Sequence, residues 1–147
     1  NFYEHQIGTF SNAIHPNIRR FREFPKFIER KLKKERDKKI AIFCTGGIRC
    51  EKASHMLKNS GFPNVHQLKG GIFNYFKSNY QSNSSLWQGD CFVFDKRLAI
   101  DRNFDTSNYE QCPGCKEMIP KKNQPVDDIE WAPCPQCCDG RNVSVLK

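Results

Sequence analysis

A short apolar run that ends in a cysteine and is followed by two glycines constrains the fold of this 147-residue chain most strongly. Residues 39–44 are almost wholly apolar, which is typical of a strand buried in a parallel sheet. Gly46 and Gly47 then form a turn. A helix is predicted over residues 49–60, because its apolar side chains recur at helical spacing. The order of strand, tight turn and helix indicates an α/β unit.

The same order occurs again farther along the chain. A strand is predicted at 65–68, a turn at 70–71 and a helix at 72–80, and another helix is predicted at 24–39. Repeated strand–turn–helix units favour an α/β layer with a parallel sheet. Residues 1–17 are predicted as a loop that leads into a short strand.

The chain divides into three predicted parts. A Ser/Asn-rich break at 81–85 is the candidate boundary after a first domain at 1–80. Residues 81–108 are predicted as a linker with a strand-like extension, and 109–147 as a Cys-rich, loop-dominated tail. No stretch approaches the roughly 18–20 apolar residues of a membrane helix. With no signal peptide visible, we expect a cytoplasmic protein with no membrane partner.

The residues after the first predicted strand favour a reactive thiol. Cys44 stands at the carboxyl end of that strand, where open α/β sheets bind their ligands. A glycine turn lets successive N–H groups point inward, and the start of a helix adds a positive dipole end. Such surroundings lower the pKa of a thiol, and Arg49 would add a fixed positive charge at the rim. We therefore favour a reactive Cys44 over a small buried strand residue. For Cys50, helix-face packing and a second functional thiol both remain open.

The net charge of +8 is concentrated near the N-terminus. Residues 19–39 hold eleven basic and four acidic side chains. A cationic surface of this density favours a polyanion as the partner, because phosphate contacts dominate affinity for nucleic acids. Arg19, Arg20 and Arg22 are the predicted RNA contacts. The alternative is a helix face that is merely solvated.

Paired cysteines in the tail predict a structural zinc site. The four candidate ligands are Cys112 and Cys115, and then Cys134 and Cys137. Each C-x-x-C turn aims two thiolates at one point, and two such turns complete a tetrahedral site. A disulfide pair, an empty degenerate site and replacement of Cys137 by Cys138 remain alternatives.

The thiol loop also resembles a known family. The loop that consists of Cys44, Thr45, Gly46, Gly47, Ile48 and Arg49 is similar to the active-site loop of rhodanese domains, Cys-x-x-Gly-x-Arg. The resemblance extends to Glu4-x-x-x-Gly8 and to Leu68-Lys-Gly-Gly71, and so covers about residues 1–80. It implies a parallel sheet flanked by helices and a catalytic Cys44. Arg49 lies five positions after Cys44, whereas cysteine-dependent phosphatases place an arginine six positions on.

A narrower resemblance is to the tRNA uridine hydroxylases. It rests on residues 44–53, on Phe92-Val-Phe-Asp-Lys-Arg97 and on the Cys-rich tail. It implies that the wobble uridine of tRNA is converted to 5-hydroxyuridine with molecular oxygen and Cys44, and that Cys50 is the second loop cysteine. Such proteins carry an N-terminal region and a first strand that this chain lacks. We therefore expect a sheet that is short of one strand or completed by another chain, and little activity in isolation.

Two other functions compete with hydroxylation. A sulfurtransferase would use the same Cys44 as a persulfide carrier, and a non-catalytic rhodanese module would serve as an interaction platform. The intact Cys44 argues against the second of these. The cationic segment and the Cys-rich tail favour the hydroxylase over the sulfurtransferase.

Overall fold

The computed structural model describes residues 1–18, 20–80, 84–112, 114–115 and 117–121. The helical segments in these ranges are α1 (Phe2–Ile7), a 3₁₀ turn (Phe21–Glu23), α2 (Phe24–Phe27), a π-helical turn (Ile28–Leu32), α3 (Ile48–Asn59) and α4 (Gly71–Ser78). The strands are β1 (Gly8–Phe10), β2 (Ile40–Ile42), β3 (Val65–Gln67), β4 (Trp87–Gly89), β5 (Cys91–Phe92), β6 (Ala99–Ile100), β7 (Tyr109–Gln111) and β8 (Met118–Pro120). None of the helices in these ranges is long and apolar enough to cross a membrane.

The β2–α3–β3 unit is the part of the fold that positions the thiol loop. Strands β2 and β3 pair in parallel, with Ile40 opposite Val65 and Ile42 opposite Gln67. The connecting helix α3 buries Leu57 completely, in a cluster with Ile28 and with Phe62, which follows the helix. The predicted strand–turn–helix order, and with it a mixed α/β fold, is confirmed. The thiol loop lies between β2 and α3.

The remaining strands in the described ranges form antiparallel pairs. Strand β1 pairs with β4, β5 with β6, and β7 with β8. Ile72 and Phe76 of α4 share a core cluster with Trp87, Cys91 and Val93. These contacts join residues on both sides of the predicted boundary at 80. The division into three domains stays a prediction.

Two predicted elements are wrong. Residues 1–17 begin with helix α1 rather than a loop, and this helix packs Ile7 against Phe92 and Met118. A six-residue helix is too short to show a clear periodicity in the sequence. The helix predicted at 24–39 ends at Leu32. Residues 33–39 are all charged, so a longer helix would have no apolar face to bury.

Candidate active site

The thiol loop holds the sulfur of Cys44 at the start of α3. The Gly47 N–H donates to Cys44 Sγ at 3.1 Å, and the amides of Arg49 and Cys50 also donate to it. Gly47 adopts a φ of +90°, which turns the chain into the helix. Thr45 is buried, and its Oγ1 donates to the Phe92 carbonyl oxygen at 3.1 Å. The predicted nest of backbone amides around a thiol is therefore present.

A second glycine turn supports this loop from behind. The amides of Ile72 and Phe73, in the first turn of α4, donate to the carbonyl oxygens of Cys44 and Thr45 at 3.0 and 3.2 Å. Gly71 has a φ of +65°, and a Cβ atom there would lie 2.4 Å from the Cys44 carbonyl oxygen. Only glycine fits this close approach of two backbone segments. The Leu68-Lys-Gly-Gly71 motif thus belongs to the structure of the site.

The surroundings of Cys44 favour its thiolate. A hydrogen bond from the Cys50 thiol and bonds from the backbone amides outweigh burial and lower the pKa of Cys44 from 9.0 to about 5. The same hydrogen bond, together with burial, raises the pKa of Cys50. Cys50 is 2% exposed. Cys50 is therefore packed in the core, and its thiol also donates to Cys44. A function of Cys50 as a second catalytic thiol stays a prediction.

Replacing Cys50 tests this hydrogen bond. In Cys50→Ala the pKa of Cys44 should rise by about one to two units, because the charged thiolate loses a donor worth roughly 1.5–3 kcal/mol. The rate of Cys44 alkylation by iodoacetamide, followed by mass spectrometry from pH 4 to 9, measures this pKa. The wild-type rate should be flat above pH 6 and fall below pH 5. Cys50→Ser keeps a donor and should retain most of the low pKa. Coincident profiles for wild type and Cys50→Ala would contradict the assignment.

Arg49 follows Cys44 in the thiol loop, and its positive charge is paired with the carboxylate of Glu4. Its Nη1 and Nη2 atoms donate to both carboxylate oxygens of Glu4, at 2.8 and 2.6 Å. Burial opposes the charge on Glu4, but the hydrogen bonds that this carboxylate accepts, first of all from Arg49, prevail and hold its pKa below the ordinary value. The guanidinium carbon also lies 5.1 Å from the centre of the Phe94 ring. Nothing in the sequence indicated that Glu4 pairs with Arg49, although Glu4 is the only Asp, Glu, Lys or Arg residue before position 19.

A pocket of about 510 Å³ opens above Cys44. This volume lies in the range of roughly 300–1,000 Å³ that small-molecule sites occupy. Its lining consists of Cys44, Thr45, Gly46, Ile48 and Arg49 from the thiol loop, Phe73 from α4, and Val93, Phe94, Asp95 and Arg97 from the segment after β5. The last group was not predicted as part of the site. The only signal for it in the sequence was the hydroxylase-like motif at 92–97.

The other predicted site residues do not line this pocket. Arg20 and Arg22 are exposed at the 3₁₀ turn, and Arg19 lies outside the described residues. Cys112 is buried and Cys115 exposed around the turn between β7 and β8, whereas Cys134, Cys137 and Cys138 lie outside the described residues. In the part of the chain that the structure describes, no three His, Cys, Asp or Glu side chains group as metal ligands. The zinc site stays a prediction.

A thiolate held by backbone amides between a parallel strand and a helix is the arrangement that the loop resemblance predicts for a rhodanese-like protein. The family described as "Rhodanese-like domain" matches residues 1–78, and the chain belongs to this family. The chain is also 48% identical, over 138 residues, to the tRNA uridine(34) hydroxylase of Pelagibacter ubique (strain HTCC1062). That similarity covers 93% of this chain and 44% of the relative. The chain thus spans less than half the length of this curated relative.

Proposed function

We propose that this chain is part of an enzyme that hydroxylates uridine 34 of tRNA to 5-hydroxyuridine, with molecular oxygen as co-substrate and Cys44 as the reactive group. The observation that carries the proposal is a loop thiolate, open to a pocket, in a chain 48% identical to a relative named tRNA uridine(34) hydroxylase. Because the pKa of Cys44 is lowered to about 5, this residue is a nucleophilic thiolate at neutral pH.

The walls of the pocket suit a flat, uncharged base. Phe73, Val93 and Phe94 contribute apolar surface, while Glu4 neutralises the charge of Arg49 beside them. A base that leaves its stack can enter such a pocket and place its ring against the thiolate. Hydrogen bonds from the first turn of α4 hold the backbone of the thiol loop in place at this pocket.

The remaining parts of the proposal concern surfaces beyond the pocket. Arg20 and Arg22 are exposed, and together with Arg19 we assign them to phosphate contacts with tRNA in the cytoplasm. The turn between β7 and β8 carries Cys112 and Cys115, as half of a four-thiolate zinc site would, and Cys134 with Cys137 would supply the other half. The N-terminal region of the same protein would complete the sheet beside β2 and β3.

Mass spectrometry of tRNA nucleosides tests the proposal in cells that lack the gene. We expect 5-hydroxyuridine to disappear and to return with the complete wild-type gene but not with Cys44→Ser, because a serine hydroxyl provides no thiolate. Cys91→Ala is the matched control. This buried thiol lies beside Thr45, and burial raises its pKa to about 12, so its loss should leave hydroxylation intact. Full hydroxylation by Cys44→Ser would overturn the proposal.

A sulfurtransferase is the alternative, and one observation favours it. The three amides that face Cys44 Sγ are also suited to the terminal sulfur of a persulfide. In that reaction Cys44 attacks the sulfane sulfur of thiosulfate, sulfite leaves as the S–S bond breaks, and the persulfide passes its outer sulfur to a nucleophile. The same tRNA digests distinguish the two functions. Unchanged hydroxylation with altered thiolation of tRNA would favour the sulfurtransferase.

A further inference from the structure

The segment after β5 forms a tightly bonded turn beside Cys44. The Val93 N–H donates to the Leu98 carbonyl oxygen at 2.9 Å, and the Leu98 N–H to the Asp95 carbonyl oxygen at 3.1 Å. The Asp95 carboxylate accepts the Arg97 N–H at 2.9 Å and also the Arg97 guanidinium, at 3.1 and 2.7 Å. These bonds close the turn that carries Phe94.

Phe94 is a large apolar side chain that is exposed to solvent. Phe94 is 64% exposed, although burial of an apolar aromatic ring is favourable. The ring is supported by Phe92, at 4.9 Å between ring centres in an edge-to-face contact, and by the Arg49 guanidinium at 5.1 Å. Phe94 also lines the pocket that contains Cys44. It thus presents an aromatic surface beside the sulfur of Cys44.

We propose that Phe94 is the residue on which the target nucleobase stacks when it reaches Cys44. The proposal rests on the proposed function, because it takes an unpaired pyrimidine of an RNA loop as the ligand. Unstacked bases of RNA loops are bound largely by stacking on aromatic side chains. The bound base would lie against the exposed part of the Phe94 ring, next to the thiol loop, where Phe73 and Val93 contribute apolar lining to the pocket.

An RNA hairpin that ends in the anticodon loop tests the stacking directly. The dissociation constant is measured by fluorescence anisotropy with the purified complete gene product, once with uridine 34 and once with an abasic nucleotide at that position. Base stacking is worth about 1–3 kcal/mol, so Phe94→Ala should weaken binding of the uridine hairpin by at least about fivefold. Binding of the abasic hairpin should change by less than about twofold, since no base remains to stack.

Two further variants make the test specific. Phe94→Trp keeps an aromatic face and should bind the uridine hairpin about as tightly as wild type. Tyr80→Ala removes another aromatic side chain, 57% exposed and outside the pocket, and should bind like wild type. Equal binding of the uridine hairpin by wild type and Phe94→Ala would overturn the stacking proposal, as would an equal loss for both hairpins. The hydroxylation assay with Cys44→Ser judges the proposed function separately, because the binding comparison needs no turnover.

Discussion

Alanine at position 71 is expected to destabilise the folded protein by about 2–5 kcal/mol and to raise the pKa of Cys44. The left-handed φ of +65° costs a non-glycine residue about 1–2 kcal/mol. A Cβ atom would also lie 2.4–2.7 Å from three backbone atoms, namely the oxygens of Cys44 and Thr45 and the nitrogen of Gly47. Because these atoms belong to the thiol loop, relief of the overlap would move the amides away from the sulfur.

Gly46→Ala is the matched control in the same loop. A Cβ atom at Gly46 has no heavy atom within 4 Å, and the residue lies outside the positive-φ region. We expect the free energy of unfolding of this variant to lie within about 0.5 kcal/mol of the wild-type value, as is usual for surface substitutions. Urea unfolding measures the free energy, and the pH profile of Cys44 alkylation measures the pKa. Equal stability of Gly71→Ala and Gly46→Ala would contradict the role of Gly71 as the support of the loop.

Loss of the Glu4 carboxylate should cost about 1–3 kcal/mol at pH 7. Removal of one partner from a fully buried ion pair costs about 3–5 kcal/mol, and exposed pairs contribute about 0–1 kcal/mol. Glu4 and Arg49 lie between these limits, with side chains 16% and 26% exposed. In Glu4→Ala the Arg49 guanidinium keeps its charge and loses its bidentate acceptor. The arginine is then expected to leave its position against Phe94, so the pocket should lose one wall.

The pH dependence of this effect follows from the pKa of Glu4. Because the folded-state pKa lies below the ordinary value of 4.5, the carboxylate contributes stability fully above that value, and the contribution is lost as the pH falls through the folded-state pKa. The stability difference between wild type and Glu4→Ala should therefore shrink below pH 4.5. Glu35→Ala removes an exposed partner of Lys38 and should cost no more than about 1 kcal/mol. A Glu4→Ala difference that stays constant down to pH 2 would contradict this account.

Much of the thiol loop was predictable because its interactions are local. Cys44, Gly47 and Arg49 lie within six consecutive positions. When a strand is followed by glycines and by the start of a helix, successive backbone amides point toward the same spot. The amide cradle around the Cys44 thiol and the parallel pairing of β2 and β3 follow from that order alone. The charged run at 33–39 was misread, because helix propensity continues there while the apolar face that stabilises a helix ends at Leu32.

The partners of the loop were decided only by the tertiary structure. Glu4 lies 45 positions before Arg49, Gly71 lies 27 positions after Cys44, and Phe94 reaches the same pocket from the turn after β5. No periodicity or spacing links such positions, since their meeting depends on how α1, α4 and the β5–β6 pair pack together. The sequence by itself therefore indicated which thiol to propose as the reactive group and how its backbone cradle is built. The packed chain decided that the arginine is neutralised, that Cys50 donates to the thiolate, and which side chains form the walls of the pocket.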